Sequence, residues 1–76
     1  MSATLSLRAG ERRVVGNTEI AVLATAPDGR VTLRIGPAGR CERRATLAPG
    51  ERLVAGGLTL AVGKNTTPER AEILVG

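Results

Sequence analysis

Residues 4–36 read TLSLRAGERRVVGNTEIAVLATAPDGRVTLRIG, and residues 44–76 read RATLAPGERLVAGGLTLAVGKNTTPERAEILVG. The second stretch aligns with the first at an offset of forty positions, without a gap. The match includes residues that end strands, such as the Gly-Glu-Arg triplet at positions 10–12 and 50–52. Two copies are too few for a solenoid, which needs about three before a continuous core forms. The repeat therefore predicts a pseudo-twofold domain that stands in for a symmetric dimer of a smaller ancestor.

Apolar and polar residues alternate within each copy, as they do in strands that bury one face. Val31, Leu33 and Ile35 form the clearest apolar set. Turn residues interrupt the alternation about every eight to twelve positions, and no helical spacing persists. We therefore expect an all-β fold, a small sandwich or barrel built from two four-stranded repeats related by a pseudo-twofold axis. Alternation places Ala24 on the same face as Ile20 and Val22. The predicted core residues are Ile20, Val22, Val31, Leu33, Ile35, Leu60, Val62, Ala71, Ile73 and Val75.

The chain is expected to form a single domain, residues 1–76, with repeat one at 4–36, a crossover at 37–43 and repeat two at 44–76. It has no aromatic residue, so leucine, valine, isoleucine and alanine must fill the core. A chain of this size buries only about two-thirds of the surface that its unfolded form exposes. We therefore expect self-association, as a homo-oligomer or within a larger assembly.

The residue types argue against an enzyme and against a bound metal or cofactor. The chain has no histidine and one cysteine, Cys41, which removes Ser-His pairs, Cys-His pairs and thiolate zinc sites. Glu11 and Glu51 are the acids present in both copies, and we assign them to the Gly-Glu-Arg turn rather than to a carboxylate dyad. Cys41 is expected to be a half-buried small residue. The alternative is a reactive thiol or an intermolecular disulfide.

Nothing in the sequence directs the chain to a membrane. No apolar run approaches the roughly 18 residues that cross a bilayer. The start, MSATLSLRAG, lacks the basic-then-apolar order of a signal peptide. We therefore expect no membrane contact and a cytoplasmic location, or a virion location if the protein belongs to a viral particle.

The first copy resembles two families of small regulators that bind messenger RNA. Leu5 to Val15, followed by Asp28 to Leu33, is similar to the opening of the flagellin-translation regulators of alphaproteobacteria. The carbon storage regulator family is similar in its Gly-Glu turn, its apolar-Gly hairpin and its Arg-Ile-Gly strand end, here residues 10–11, 15–16 and 34–36. The resemblance covers about half of the chain and returns in the second copy. It implies an all-β interlocked fold and binding to messenger RNA.

The chain departs from the carbon storage regulators where that family binds RNA. The family has a basic first strand, whereas this chain has Arg8 alone, with a leucine where a second arginine is expected. The closing His-Arg-Glu-Glu element is missing, and Arg43-Arg44 is at best a displaced substitute. The alignment also needs small insertions before Ile20 and before Arg34. The resemblance therefore supports a β-module of this type more than it supports RNA binding.

Arginine dominates the net charge of +4, since Lys64 is the only lysine. Either a guanidinium surface recognises phosphate or carboxylate groups, or a GC-rich genome favours arginine codons. Our first hypothesis is a non-enzymatic, RNA-binding post-transcriptional regulator whose arginines contact phosphates. The chain has no Phe, Tyr or Trp, so only arginine planes could stack on bases. The predicted nucleic-acid-binding residues are Arg8, Arg30, Arg34, Arg40, Arg43 and Arg44.

The alternative hypothesis is a structural or assembly subunit, such as a decoration, neck or adaptor protein of a phage-like particle, whose partner is protein. The outward position that holds Arg34 in the first copy holds Leu74 in the second, and we expect exposed Leu53 or Val54 to flank it. This difference indicates that one sheet face has become apolar and covered. The predicted interface residues are Leu53 and Leu74.

Overall fold

The computed structural model describes residues 3–40 and 43–76, and these residues form an all-β sandwich. The segments in which apolar and polar residues alternate form strands, four in each repeat, as predicted. The strands are β1 (Ala3–Leu7), β2 (Arg12–Val15), β3 (Thr18–Thr25), β4 (Val31–Pro37), β5 (Arg43–Leu47), β6 (Arg52–Ala55), β7 (Leu58–Val62) and β8 (Ala71–Val75).

The two repeats exchange their first strands. Sheet A has the order β1-β8-β7-β6 and sheet B the order β2-β3-β4-β5, and every pair of neighbouring strands is antiparallel. Each sheet therefore combines three strands of one repeat with the first strand of the other. The pseudo-twofold architecture is confirmed, but its sheets are not the repeats themselves. Alternation assigns residues to faces and does not identify the partner strand, so the exchange was not foreseen.

Residues 37–43 were expected to cross between the halves, but the strands on either side of this segment, β4 and β5, pair with each other in sheet B. β4 continues through Pro37, β5 starts at Arg43, and the two strands pair from Val31 opposite Leu47 to Ile35 opposite Arg43. The chain passes from one sheet to the other at two different places, residues 8–11 and 48–51. Cys41 lies outside the described residues.

One core fills the space between the sheets, and it contains every predicted core residue. Ala24, which was expected on the same face as Ile20 and Val22, is instead exposed, because a bulge shifts the β3–β4 register between Val22 and Ala24. The exchanged strands β1 and β5 add three leucines to this core. The buried apolar residues are Leu5, Leu7, Ile20, Val22, Val31, Leu33, Ile35, Leu47, Leu60, Val62, Ala71, Ile73 and Val75.

The Gly-Glu-Arg turns guide the chain between the sheets. The Glu11 Oε1 atom accepts the backbone N–H of Arg8 at 2.7 Å, and Glu51 Oε1 accepts that of Ala48 at 2.6 Å. The glycine N–H of each turn donates to the corresponding carbonyl on β3 or β7, at 2.7 Å and 3.0 Å. The structural role predicted for both carboxylates is confirmed, and these hydrogen bonds recur in both turns.

Two further observations apply to residues 3–40 and 43–76. None of these residues belongs to a helix long and apolar enough to span a membrane. Their histidine, cysteine and acidic side chains form no group of three or more that could hold a metal ion.

Candidate nucleic-acid interface

Three arginines lie in one row across the outer face of sheet B. Arg12 is opposite Ala21, Ala21 is opposite Arg34, and Arg34 is opposite Arg44. The alternation that buries Leu33 places Arg34 on the outer face, and the antiparallel register carries that face across all four strands. We call Arg12, Arg34 and Arg44 the arginine row.

The row places like charges side by side. Arg34 and Arg44 are directly opposed on adjacent strands, and side chains in such a pair have Cβ atoms about 5 Å apart. Like charges in this position repel each other. Two guanidinium groups placed side by side can also both donate hydrogen bonds to one phosphate or carboxylate group.

The pseudo-twofold axis relates this row to a row of different chemistry on sheet A. There, Arg52 is opposite Ala61, Ala61 is opposite Leu74, and Leu74 is opposite Thr4. The same backbone thus presents three guanidinium groups on sheet B and one on sheet A. Because the core-facing residues of both sheets are similar, this difference is not a requirement of folding.

A recess of about 420 Å³ opens beside the row on the outer face of sheet B. The side chains of Arg12 and Arg34 line it, together with the backbone of Gly10 and Gly39. The carboxylate of Glu19 also lines it, and Glu19 is only 7% exposed. The recess therefore combines two cationic groups with one buried anionic group.

Glu19 connects the two sides of the recess. Its Oε1 atom accepts the backbone N–H of Gly39, in the β4–β5 turn, at 3.1 Å. Its Oε2 atom lies 3.8 Å from Nη1 of Arg12, on the edge strand β2. The carboxylate thus contacts both a row member and the turn that carries Arg40.

The structure brings together some of the predicted binding residues and separates others. Arg34 and Arg44 belong to the row, and exposed Arg40 ends the turn that Glu19 holds. Arg43 lies opposite the buried Ile35, so it projects from the inner side of sheet B. Its Nη1 atom donates to the carbonyl of Val54 at 3.5 Å, and it lines a separate recess of about 480 Å³.

The two remaining predicted residues lie away from the row. Arg8 follows β1 at the edge of sheet A. Arg30 precedes β4, and its Nε atom lies 3.5 Å from the carboxylate of Asp28. Sequence reasoning missed Arg12 because it assigned that residue to the turn. The alternation across β2, in which Arg12 and Val14 share a face, is the signal that could have identified it.

The two predicted interface residues lie on opposite faces of sheet A. Leu53 is opposite the buried Leu60, is partly buried and packs against the core, so its expected exposure is corrected. Leu74 is on the outer face and is 41% exposed. Of the two neighbours considered, Val54 is the one that shares this face, with 67% of its surface exposed.

No known protein family, curated protein or solved structure matches the chain. The arginine row, the recess beside it and the diverged row on sheet A are the features that bear on function.

Proposed function

We propose that the protein is an RNA-binding post-transcriptional regulator that holds the sugar-phosphate backbone of single-stranded RNA against the outer face of sheet B. The arginine row is the observation that carries this proposal. Neighbouring strands are about 4.8 Å apart, so the row extends roughly 14 Å across four strands. That length allows contact with more than one phosphate group.

The side-chain chemistry of the row fits RNA better than a single anion. A guanidinium group binds a phosphate with two parallel hydrogen bonds and can also stack on a base through its planar face. The second property matters in a chain without aromatic residues. Arginine therefore supplies both the electrostatic contact and the stacking surface.

The strand exchange gives separate support. The resemblance to the carbon storage regulators implies an interlocked all-β dimer, and the exchange of β1 and β5 is how a single duplicated chain would form such a fold. Because β1 lacks that family's basic pattern, we place the RNA on sheet B.

The first prediction compares two charge-matched variants in RNA binding. Arg34→Gln with Arg44→Gln removes two charges from the row, and Arg52→Gln with Arg70→Gln removes two charges elsewhere. Fluorescence anisotropy with single-stranded RNA, measured over a salt series, should show weaker binding for the row variant. Its salt slope should fall by roughly 1.4, since each lost phosphate contact lowers the slope by about 0.7.

The control variant should keep the slope of the wild-type protein. Folding should be retained by the row variant, because the related positions on sheet A hold Leu74 and Thr4 without arginine. Equal losses in both variants, or no binding by the wild-type protein at low salt, would exclude the arginine row as an RNA site.

The second candidate function is an assembly subunit that pairs with a second copy through the outer face of sheet A. Leu74 and Val54 give this face an exposed apolar surface. This face carries Arg52, Arg70 and Glu72, a smaller excess of positive charge than that of the arginine row, which would repel its own copy. This face therefore suits self-association better than sheet B does.

The second prediction follows from that candidate. Leu74→Arg introduces the residue that the related position already holds on sheet B, so the fold tolerates it. If this face mediates self-association, light scattering coupled to size-exclusion chromatography should show a multimer for the wild-type protein and a monomer for the variant. A monomeric wild-type protein at high concentration would refute this candidate.

A further inference from the structure

Glu19 is an acidic residue buried beside a proposed phosphate-binding surface. A carboxylate is seldom buried unless it is paired, because its desolvation is costly. The related position in the second repeat holds Thr59, in a strand that forms the same pairs. Folding of the strand therefore does not require a carboxylate at this position, so the presence of Glu19 has to be explained in another way.

The contacts of Glu19 indicate what it does. Each of its two oxygens faces a different side of the recess, the Gly39 N–H at 3.1 Å and the Arg12 guanidinium at 3.8 Å. The Arg12 side chain is 75% exposed, whereas that of Glu19 is 10% exposed. A buried carboxylate thus lies within ion-pair distance of an exposed guanidinium group on an edge strand.

Two effects of Glu19 on a bound phosphate oppose each other. As a nearby negative charge it repels the phosphate, so its removal should strengthen binding. As an anchor for Arg12 and for the turn at Gly39 it orders the groups that contact the phosphate, so its removal should weaken binding. Weaker RNA binding after removal of Glu19 would show that the ordering effect is the larger one. Stronger binding would show that the repulsion is the larger one.

We infer that Glu19 is a positioning residue of the arginine row. It holds the Arg12 guanidinium at the recess and fixes the β4–β5 turn on the other side, so that the recess receives a phosphate group of single-stranded RNA. This inference rests on the proposed function and adds to it a residue of opposite charge that the phosphate itself does not touch.

The test is Glu19→Gln, with Glu69→Gln as the matched control that removes the same charge from an exposed loop. The Glu19 variant should bind single-stranded RNA about three- to tenfold more weakly, the factor expected when one hydrogen bond of ordinary strength is lost. Its salt slope should also fall by about 0.7, the value for one phosphate contact. The Glu69 variant should bind as well as the wild-type protein or slightly better.

A double-mutant cycle with Arg12→Gln shows whether Glu19 acts through Arg12. The double variant should bind no more weakly than Arg12→Gln alone, because Glu19 contributes to binding only by positioning the Arg12 guanidinium group. Fully additive losses, or tighter binding by Glu19→Gln of the kind expected for Glu69→Gln, would overturn the inference. Glu19→Thr, which introduces the residue of the related position, serves in place of Glu19→Gln if that variant does not fold.

A measurement with inorganic phosphate separates this inference from the proposed function. In NMR spectra of the full chain, phosphate should shift the side-chain Nε–Hε signals of Arg12 and Arg34 in the wild-type protein and shift them less in Glu19→Gln. That result would support the positioning role even if RNA did not bind. Equal shifts in both proteins, or none in the wild-type protein, would contradict it.

Discussion

Position 33 and its partner forty residues later show how closely the two repeats agree at the level of single residues. Leu33 and Ile73 are both fully buried, each on the strand that closes its repeat. One position further along, the repeats differ, with Arg34 in one and Leu74 in the other. Inward positions are constrained by one shared core, whereas outward positions were free to acquire separate chemistry.

The third prediction concerns Leu33→Ala. The side chain is 0% exposed within the core cluster, so its truncation removes buried apolar surface and leaves a cavity. We expect a loss of about 2–4 kcal/mol in the free energy of unfolding. Urea denaturation measures this loss, and the exposed Leu74→Ala should change the stability by less than about 0.5 kcal/mol. Similar stabilities for the two variants would show that the core assignment is wrong.

Hairpins and turns were more accessible to sequence reasoning than sheet order was. The β2–β3 and β6–β7 hairpins follow from glycine-containing turns between short alternating runs. The pairing of β1 with β8 joins segments about as far apart in the sequence as the chain permits, and period-two alternation contains no information about that partner. The alternation of apolar and polar residues also does not reveal the bulge after Val22. Because of this bulge, Ala24 does not share the face of Ile20 and Val22 that alternation predicts. Arg12 was missed for a related reason, since its role depends on which strands lie beside β2.

The fourth prediction uses two glycines that share a backbone conformation. Gly16 and Gly56 have φ angles of 61° and 59°, in the left-handed region that disfavours other residues. A Cβ atom at Gly16 would meet no atom within 4 Å, whereas one at Gly56 would collide with the Thr18 hydroxyl. Gly16→Ala should therefore cost about 1–2 kcal/mol from the backbone alone, and Gly56→Ala should cost more.

Denaturant midpoints of the two alanine variants give the comparison. Thr18→Ala should recover the additional loss in Gly56→Ala and should not improve Gly16→Ala. A lower midpoint for Gly16→Ala than for Gly56→Ala would contradict the close contact between Thr18 and the β6–β7 hairpin.

The molecule as a whole has two outer faces that share a backbone plan and differ in charge. Sheet B presents the arginine row with Glu19 beside it, and sheet A presents the exposed apolar residues Leu74 and Val54. Alternation and the repeat were sufficient to predict the fold class and most of the core. The candidate site needed the sheet order, because Arg12, Arg34 and Arg44 become neighbours only when β2, β3, β4 and β5 lie side by side.

The most direct test of the account is an NMR titration of the ¹⁵N-labelled protein with single-stranded RNA. If RNA binds to the arginine row, amide shifts should be concentrated in that row on sheet B, at Arg12, Ala21, Arg34 and Arg44. The signals of the related residues on sheet A should stay unchanged, namely those of Arg52, Ala61, Leu74 and Thr4. Because the two rows share one fold, each serves as the internal control for the other. Shifts confined to sheet A, shifts of equal size on both faces, or no shifts at low salt would contradict the assignment of RNA binding to the arginine row.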